Sequence, residues 1–141
     1  GSVEFIVGEK SYILKNGQAI FINTQRIHMA KSVGDEDCIY HSINFDAKLL
    51  KMFPGSIIEQ KYIEPVLTAE NLNSIEFYGN SQWEKDILGH IGDIINADVI
   101  KQKGYELKKI NPGVMFYRTP GLGFIKDNKI QLLYCFLDKL L

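Results

Sequence analysis

A mainly β domain with helices toward its C-terminal end is predicted by three features of this chain. Short runs rich in β-branched and aromatic residues recur between glycine and asparagine turns over residues 1–79. Beyond them the apolar period changes from two to about three and a half, and the last dozen residues carry a further apolar stripe. With 141 residues and 45% hydrophobic content the chain suffices for one core. We expect a β-rich region over 1–79 and a helical and loop region of the same domain over 80–141.

The elements follow in order. "VEFIV", Gly8-Glu9-Lys10, "SYIL", Asn16-Gly17 and "AIFI" read as three strands of an antiparallel meander. Asn23-Thr24-Gln25 is a turn before Ile27-His28. The acidic turn "VGDEDC" leads into "IYHSINF", where Ile39, His41, Ile43 and Phe45 alternate with Tyr40, Ser42 and Asn44, so this strand shows two different faces. Asp46 caps a short helix "AKLLKMF" that Pro54-Gly55 stops, and "SIIEQKYI" reads as another strand. Trp83, Ile87, Ile91, Ile94 and Ile95 form one stripe of a helix from about Ser81 to Lys101, with Ser81 and Glu84 at capping-box spacing and Gly104 as its stop. Residues 111–128, with two prolines and three glycines, read as loop with one short strand through "VMFY". Ile130, Leu133, Leu137 and Leu140 or Leu141 mark a terminal helix that needs a partner surface.

Composition excludes several classes of function. Sixteen basic and seventeen acidic side chains give a net charge of -1, so the chain lacks the electrostatic footprint of a nucleic-acid or anionic-membrane binder. No apolar run approaches the roughly 20 residues of a membrane span. Cys38 and Cys135 are far apart and outside any CxxC, which suits free thiols in a reducing cytoplasm.

Gly17, five residues, Asn23, then Gln25 and His28 have the spacing of the second cupin motif, although Asn23, Gln25 and Ser32 replace the proline, glycine and asparagine usual there. The wider order resembles the sensor domain of AraC-type transcription regulators: a strand pair, a glycine corner at Gly17, a strand, His28, an acidic turn, and a strand ending Ile43-Asn44-Phe45. Trp83 and its helix are similar to the helical region that follows the cupin barrel in that family. The resemblance covers about the first hundred residues. It implies a cupin-like jelly-roll barrel, with its first strands before Gly1, that binds a small effector of sugar type, followed by an α-helical region that makes a homodimer. DNA contact would belong to a helix-turn-helix domain of which this chain shows no sign.

The same resemblance implies the pocket. Lys10, His28 and Ala30 match effector-contacting positions, and Tyr40 and Ser42 match inward positions of the strand anchored by Phe45. Arg26 either pairs with an anionic group of the effector or is solvated. His28 is a pocket donor or a structural histidine; Tyr40 is a stacking face or a half-buried sheet residue. Dimerisation would use Ile87, Ile91, Ile94, Ile95, Leu133 and Leu137, although the helical stripe serves equally as barrel-facing core.

Two other classes compete. A metal-dependent cupin enzyme needs three or more protein ligands, whereas His28, His41 and His90 do not converge in this reading. A carbohydrate-binding sandwich would display Tyr12, Tyr62, Phe77 and Tyr78 on a flat face, but has no use for the helical end. No catalytic residue, metal site or cofactor is expected, because GxSxG, Cys/His and phosphate-loop patterns are all missing.

Overall fold

The computed structural model describes residues 1–34, 39–51, 53–99, 115–120, 123–125 and 130–135. Among them, two antiparallel sheets are built from β1 (Ser2–Val7), β2 (Lys10–Leu14), β3 (Ala19–Ile22), β4 (His28–Val33), β5 (Ile39–Phe45), β6 (Ser74–Phe77), β7 (Met115–Pro120), β8 (Gly123–Ile125) and β9 (Ile130–Cys135). The first sheet has the order β2-β1-β4-β8 and the second β6-β3-β9-β5-β7. No pairing among the described residues closes the two into one barrel.

The β1–β2 hairpin pairs Val7 with Lys10, and Gly8 takes φ +60° at the first of two loop positions, which a side chain would strain. After β2 the chain crosses to the other sheet through the turn Lys15–Gln18, where Gly17 has φ +79° and Gln18 N–H donates to the Lys15 carbonyl at 3.1 Å. The expected three-strand meander is therefore corrected: β2 edges one sheet while β3 lies inside the other, between β6 and β9. Polar turn residues locate a reversal but do not say which sheet the next strand joins.

Alternation sorts the core into two layers. Val3, Phe5, Val7, Leu14, Ile20, Ile22, Ala30 and Tyr40 form one buried cluster between the sheets. Ala19, Ile43 and Phe77, on the opposite face of the second sheet, bury with Ile91 and Ile95 of the long helix. The second sheet therefore buries side chains on both faces.

Three elements differ from expectation. Residues 130–135 form β9, a central strand paired with both β3 and β5, and not a terminal helix. A strand buried at the centre of a sheet is an apolar run, and spacing alone does not separate it from a buried helix. Residues 57–68 are helical and not a strand: a turn of π-helix (Glu59–Ile63) runs into α1 (Glu64–Thr68). Ser56 Oγ accepts from Glu59 N–H at 3.0 Å while Glu59 reaches back to Gly55 N–H at 2.6 Å, a capping arrangement signalled by the Ser-x-x-Glu spacing. The strand expected through "VMFY" is present as β7, but it runs on to Pro120 at a sheet edge, where a missing N–H is tolerated, and a second strand, β8, follows in the expected loop.

The helix α2 (Gln82–Val99) stands as expected; Ser81 N–H donates to Glu84 Oε2 at 3.1 Å and Glu84 N–H to Ser81 Oγ at 3.4 Å. Asp46 caps the short 3-10 turn Ala47–Leu49 through Lys48 N–H at 2.9 Å. Gly104 and Leu137 lie outside the described residues. Within α2, a Cβ added at Gly89 would meet nothing within 4 Å. Gly89→Ala should therefore raise stability by about 0.5–1 kcal/mol through the smaller entropy loss of alanine in a helix, read as a higher urea midpoint with an unchanged slope.

Candidate functional site

In an antiparallel pair, residues directly opposite one another share a face. Val7 stands opposite both Lys10 and His28, and Phe5 opposite both Tyr12 and Ala30. Two adjacent rows of the first sheet thus bring Lys10, His28 and Ala30, far apart in sequence, onto its inner side. From the second sheet, Tyr40 meets Phe5 edge to face, with ring centroids 5.2 Å apart and planes at 78°. Tyr40, Ser42 and Asn44 share one side of β5, and all three are buried.

Five of the six expected effector residues therefore gather at one inter-sheet space. Lys10 is at its exposed edge, Ala30 and Tyr40 belong to its apolar cluster, and His28 and Ser42 are its buried polar groups. Asn44 was missed by motif comparison, although the period-two alternation already placed it on the Tyr40 side; Ser42 Oγ donates to Asn44 Oδ1 at 2.9 Å.

His28 is 5% exposed, and its Nδ1 lies 3.0 Å from the Arg26 carbonyl oxygen. A carbonyl has no proton to give, so Nδ1 carries the hydrogen and donates it. In the neutral ring Nε2 is then the acceptor, and among the described residues this buried atom has no partner. A buried acceptor left unmade costs about 1–3 kcal/mol. His41 is on the opposite side of β5, and His90 is on the exposed side of α2. Among the described residues no three His, Cys, Asp or Glu side chains form a group able to hold a metal ion.

Arg26 is partly exposed and its guanidinium bonds to the backbone of the loop after α1. Its Nη2 donates to the carbonyls of Ala69 at 3.1 Å and Glu70 at 3.0 Å, clasping the loop after α1 to the β3–β4 turn. Asn23 reinforces that clasp: Nδ2 donates to Val66 O at 2.7 Å and Leu72 O at 3.1 Å, while Oδ1 accepts from Thr24 N–H at 2.8 Å. Gln25, between them, has φ +60°, the only non-glycine residue so placed among those described. Lys10, Gln25, Arg26 and Asn73 also line an open cleft of about 440 Å³ between the β1–β2 and β3–β4 turns.

Of the expected dimer residues, Ile91 and Ile95 are 3% and 2% exposed and pack on the second sheet, so they serve the core reading of the stripe. Ile87 and Ile94 are partly buried against the same cluster. Leu133 is at the register position of Ile20 and Ser42 in β9. Trp83 packs edge-on against Phe77 at 6.1 Å and is otherwise open to solvent.

No family model matches the chain, and no solved structure matches it. The "Uncharacterized HTH-type transcriptional regulator YdeC" of Bacillus subtilis (strain 168) is 28% identical to it over 111 residues, which cover 76% of this chain and 36% of that protein. The chain is similar to a transcriptional regulator. It spans a little over a third of that relative's length. No helix among the described residues is long and apolar enough to cross a membrane.

Proposed function

We propose that this chain is the effector-sensing and dimerising part of an AraC-type transcription regulator, non-catalytic and acting in the cytoplasm, with DNA binding supplied by a helix-turn-helix domain. The likeness to a regulator supports the regulatory role, and the two-sheet architecture supports a cupin-like interior. The single observation that carries the sensing role is the buried, unpartnered His28 Nε2 on the inner side of the first sheet.

The chemistry of that interior selects a ligand class. His28 Nε2 accepts, and Ser42 Oγ, having given its proton to Asn44, offers only lone pairs. Both groups call for donors. A sugar or other polyol supplies several hydroxyl donors, whereas a carboxylate supplies none. Lys10 at the rim suits a sugar oxygen as acceptor, and Tyr40 offers its hydroxyl beside an apolar ring. Binding would act on transcription only so far as the effector prefers one arrangement of two subunits over another.

A thermal-shift series on the purified chain tests the class. A sugar present at a hundred times its Kd should stabilise the folded state by about 2.7 kcal/mol, a rise of several degrees in Tm. The class assignment fails if no sugar or polyol shifts Tm while amino acids, nucleosides or aromatic acids do. Native mass spectrometry of the same sample should show a dimer.

A further inference from the structure

The outer face of the second sheet carries an apolar groove that the proposed sensing role leaves unused. Phe21, Phe45 and Ile75 form its floor and Tyr62, Val66 and Leu67 of the helical segment 57–68 its wall, around a volume of about 250 Å³; among the described residues, none of the lining side chains is charged. Three apolar side chains of a sheet facing a helix ordinarily close up, because burial is worth roughly 25 cal/mol for each Å² removed from water. Here hydrogen bonds and an ion pair fix both ends of the wall in place. At one end Lys51 pairs with Glu59 at 2.7 Å and Ser56 Oγ donates to the Lys51 carbonyl at 2.6 Å. At the other, Asn23 holds Val66 O and Arg26 holds Ala69 O. The wall includes the π-helical turn, a geometry that is rare and concentrated at functional sites. Tyr62 is 57% and Ile75 37% exposed, so the mouth is open to solvent.

We infer that this groove is a second ligand site, for an uncharged ring-sized molecule. An ionised ligand would surrender its hydration to a lining that returns no partner. Cavities of roughly 150 Å³ lined by Leu, Ile and Phe already take benzene, so a space of this volume fits one or two fused rings. The site lies on the opposite side of the sheet from His28, Tyr40 and Ser42 and does not depend on the sensing role.

Methyl NMR of the full chain titrated with indole, and with indole-3-carboxylate as the charged comparison, tests it. Indole should bind saturably and shift the Val66 and Leu67 methyls while leaving that of Ile20, on the inner side of β3, in place; the carboxylate should bind at least tenfold more weakly. Leu67→Trp, which fills the groove, should abolish binding. Tyr62→Asp, at a position exposed enough to leave folding intact, should weaken it at least tenfold. The inference is overturned by non-saturable binding, by shifts at Ile20 instead, or by affinity that Tyr62→Asp leaves unchanged. It is equally overturned if Val66 and Leu67 shift on raising protein concentration alone, which would make a second copy, docking through exposed Phe53 and Ile57, the occupant.

Discussion

Phe5→Ala should cost about 3–5 kcal/mol, much of the roughly 5–15 kcal/mol that keeps a domain of this size folded. Phe5 has no exposed surface, stands between Tyr12 and Ala30 on the first sheet, and meets the Tyr40 ring across the inter-sheet space. Its truncation removes the ring contact, about 0.5–1.5 kcal/mol beyond area, and opens a cavity beside Ala30 that a β-sheet backbone cannot shrink into. Urea unfolding should show a much lower midpoint, and Phe5→Leu should recover most of the loss. Because the cavity adjoins Tyr40, the variant should also lose near-ultraviolet tyrosine signal before unfolding is complete.

Asn23→Ala should cost about 2–4 kcal/mol, large for a residue in a turn, because it leaves two carbonyls and one N–H without their partner. Asn23 is 2% exposed, so water does not take over those bonds. Asn23→Asp is the sharper comparison. It retains an acceptor for Thr24 N–H but turns a bare carboxylate oxygen toward the Val66 and Leu72 carbonyls. We expect it to be at least as damaging as alanine, with hydrogen exchange accelerating first in residues 66–73. If aspartate restores stability, Asn23 is serving only its own turn.

The other end of the same helical segment responds to acid. The Glu59 carboxyl is held below its ordinary pKa, first by its hydrogen bond with Lys51 and then by Gly55 N–H. A carboxyl depressed in the folded state contributes stability above its unfolded pKa and loses it as pH falls through the folded value. Glu59→Gln should therefore lower the neutral plateau of the stability profile and flatten its acid limb, because the variant has no such contribution left to lose in acid.

Strands β1, β2 and β5 were legible because each run ends at a residue with a specific turn role: Gly8, Asn16-Gly17 and Asp46. The helix α2 was legible because its capping box and its stripe agree. What escaped was set by partners distant in sequence. β4 escaped because His28 and Ser32 interrupt its apolar pattern; its pairing with β1 defines it. β9 has the apolar spacing of a helix and becomes a strand because β3 and β5 both bond to it. Within the proposed site, the family resemblance pointed to His28, while the bonds of Arg26 depend on carbonyls more than forty residues away.

The sensing role rests on one atom, and the three histidines of the chain make that atom observable. Long-range ¹H–¹⁵N spectra of the imidazole rings should first show His28 protonated on Nδ1. Adding a saturating sugar should move the His28 Nε2 resonance upfield, as expected when an acceptor nitrogen gains a hydrogen bond, and leave that of His90 where it was. A sugar that stabilises the chain without moving His28, or an His28 ring protonated on Nε2, would contradict the assignment of this interior as the effector site.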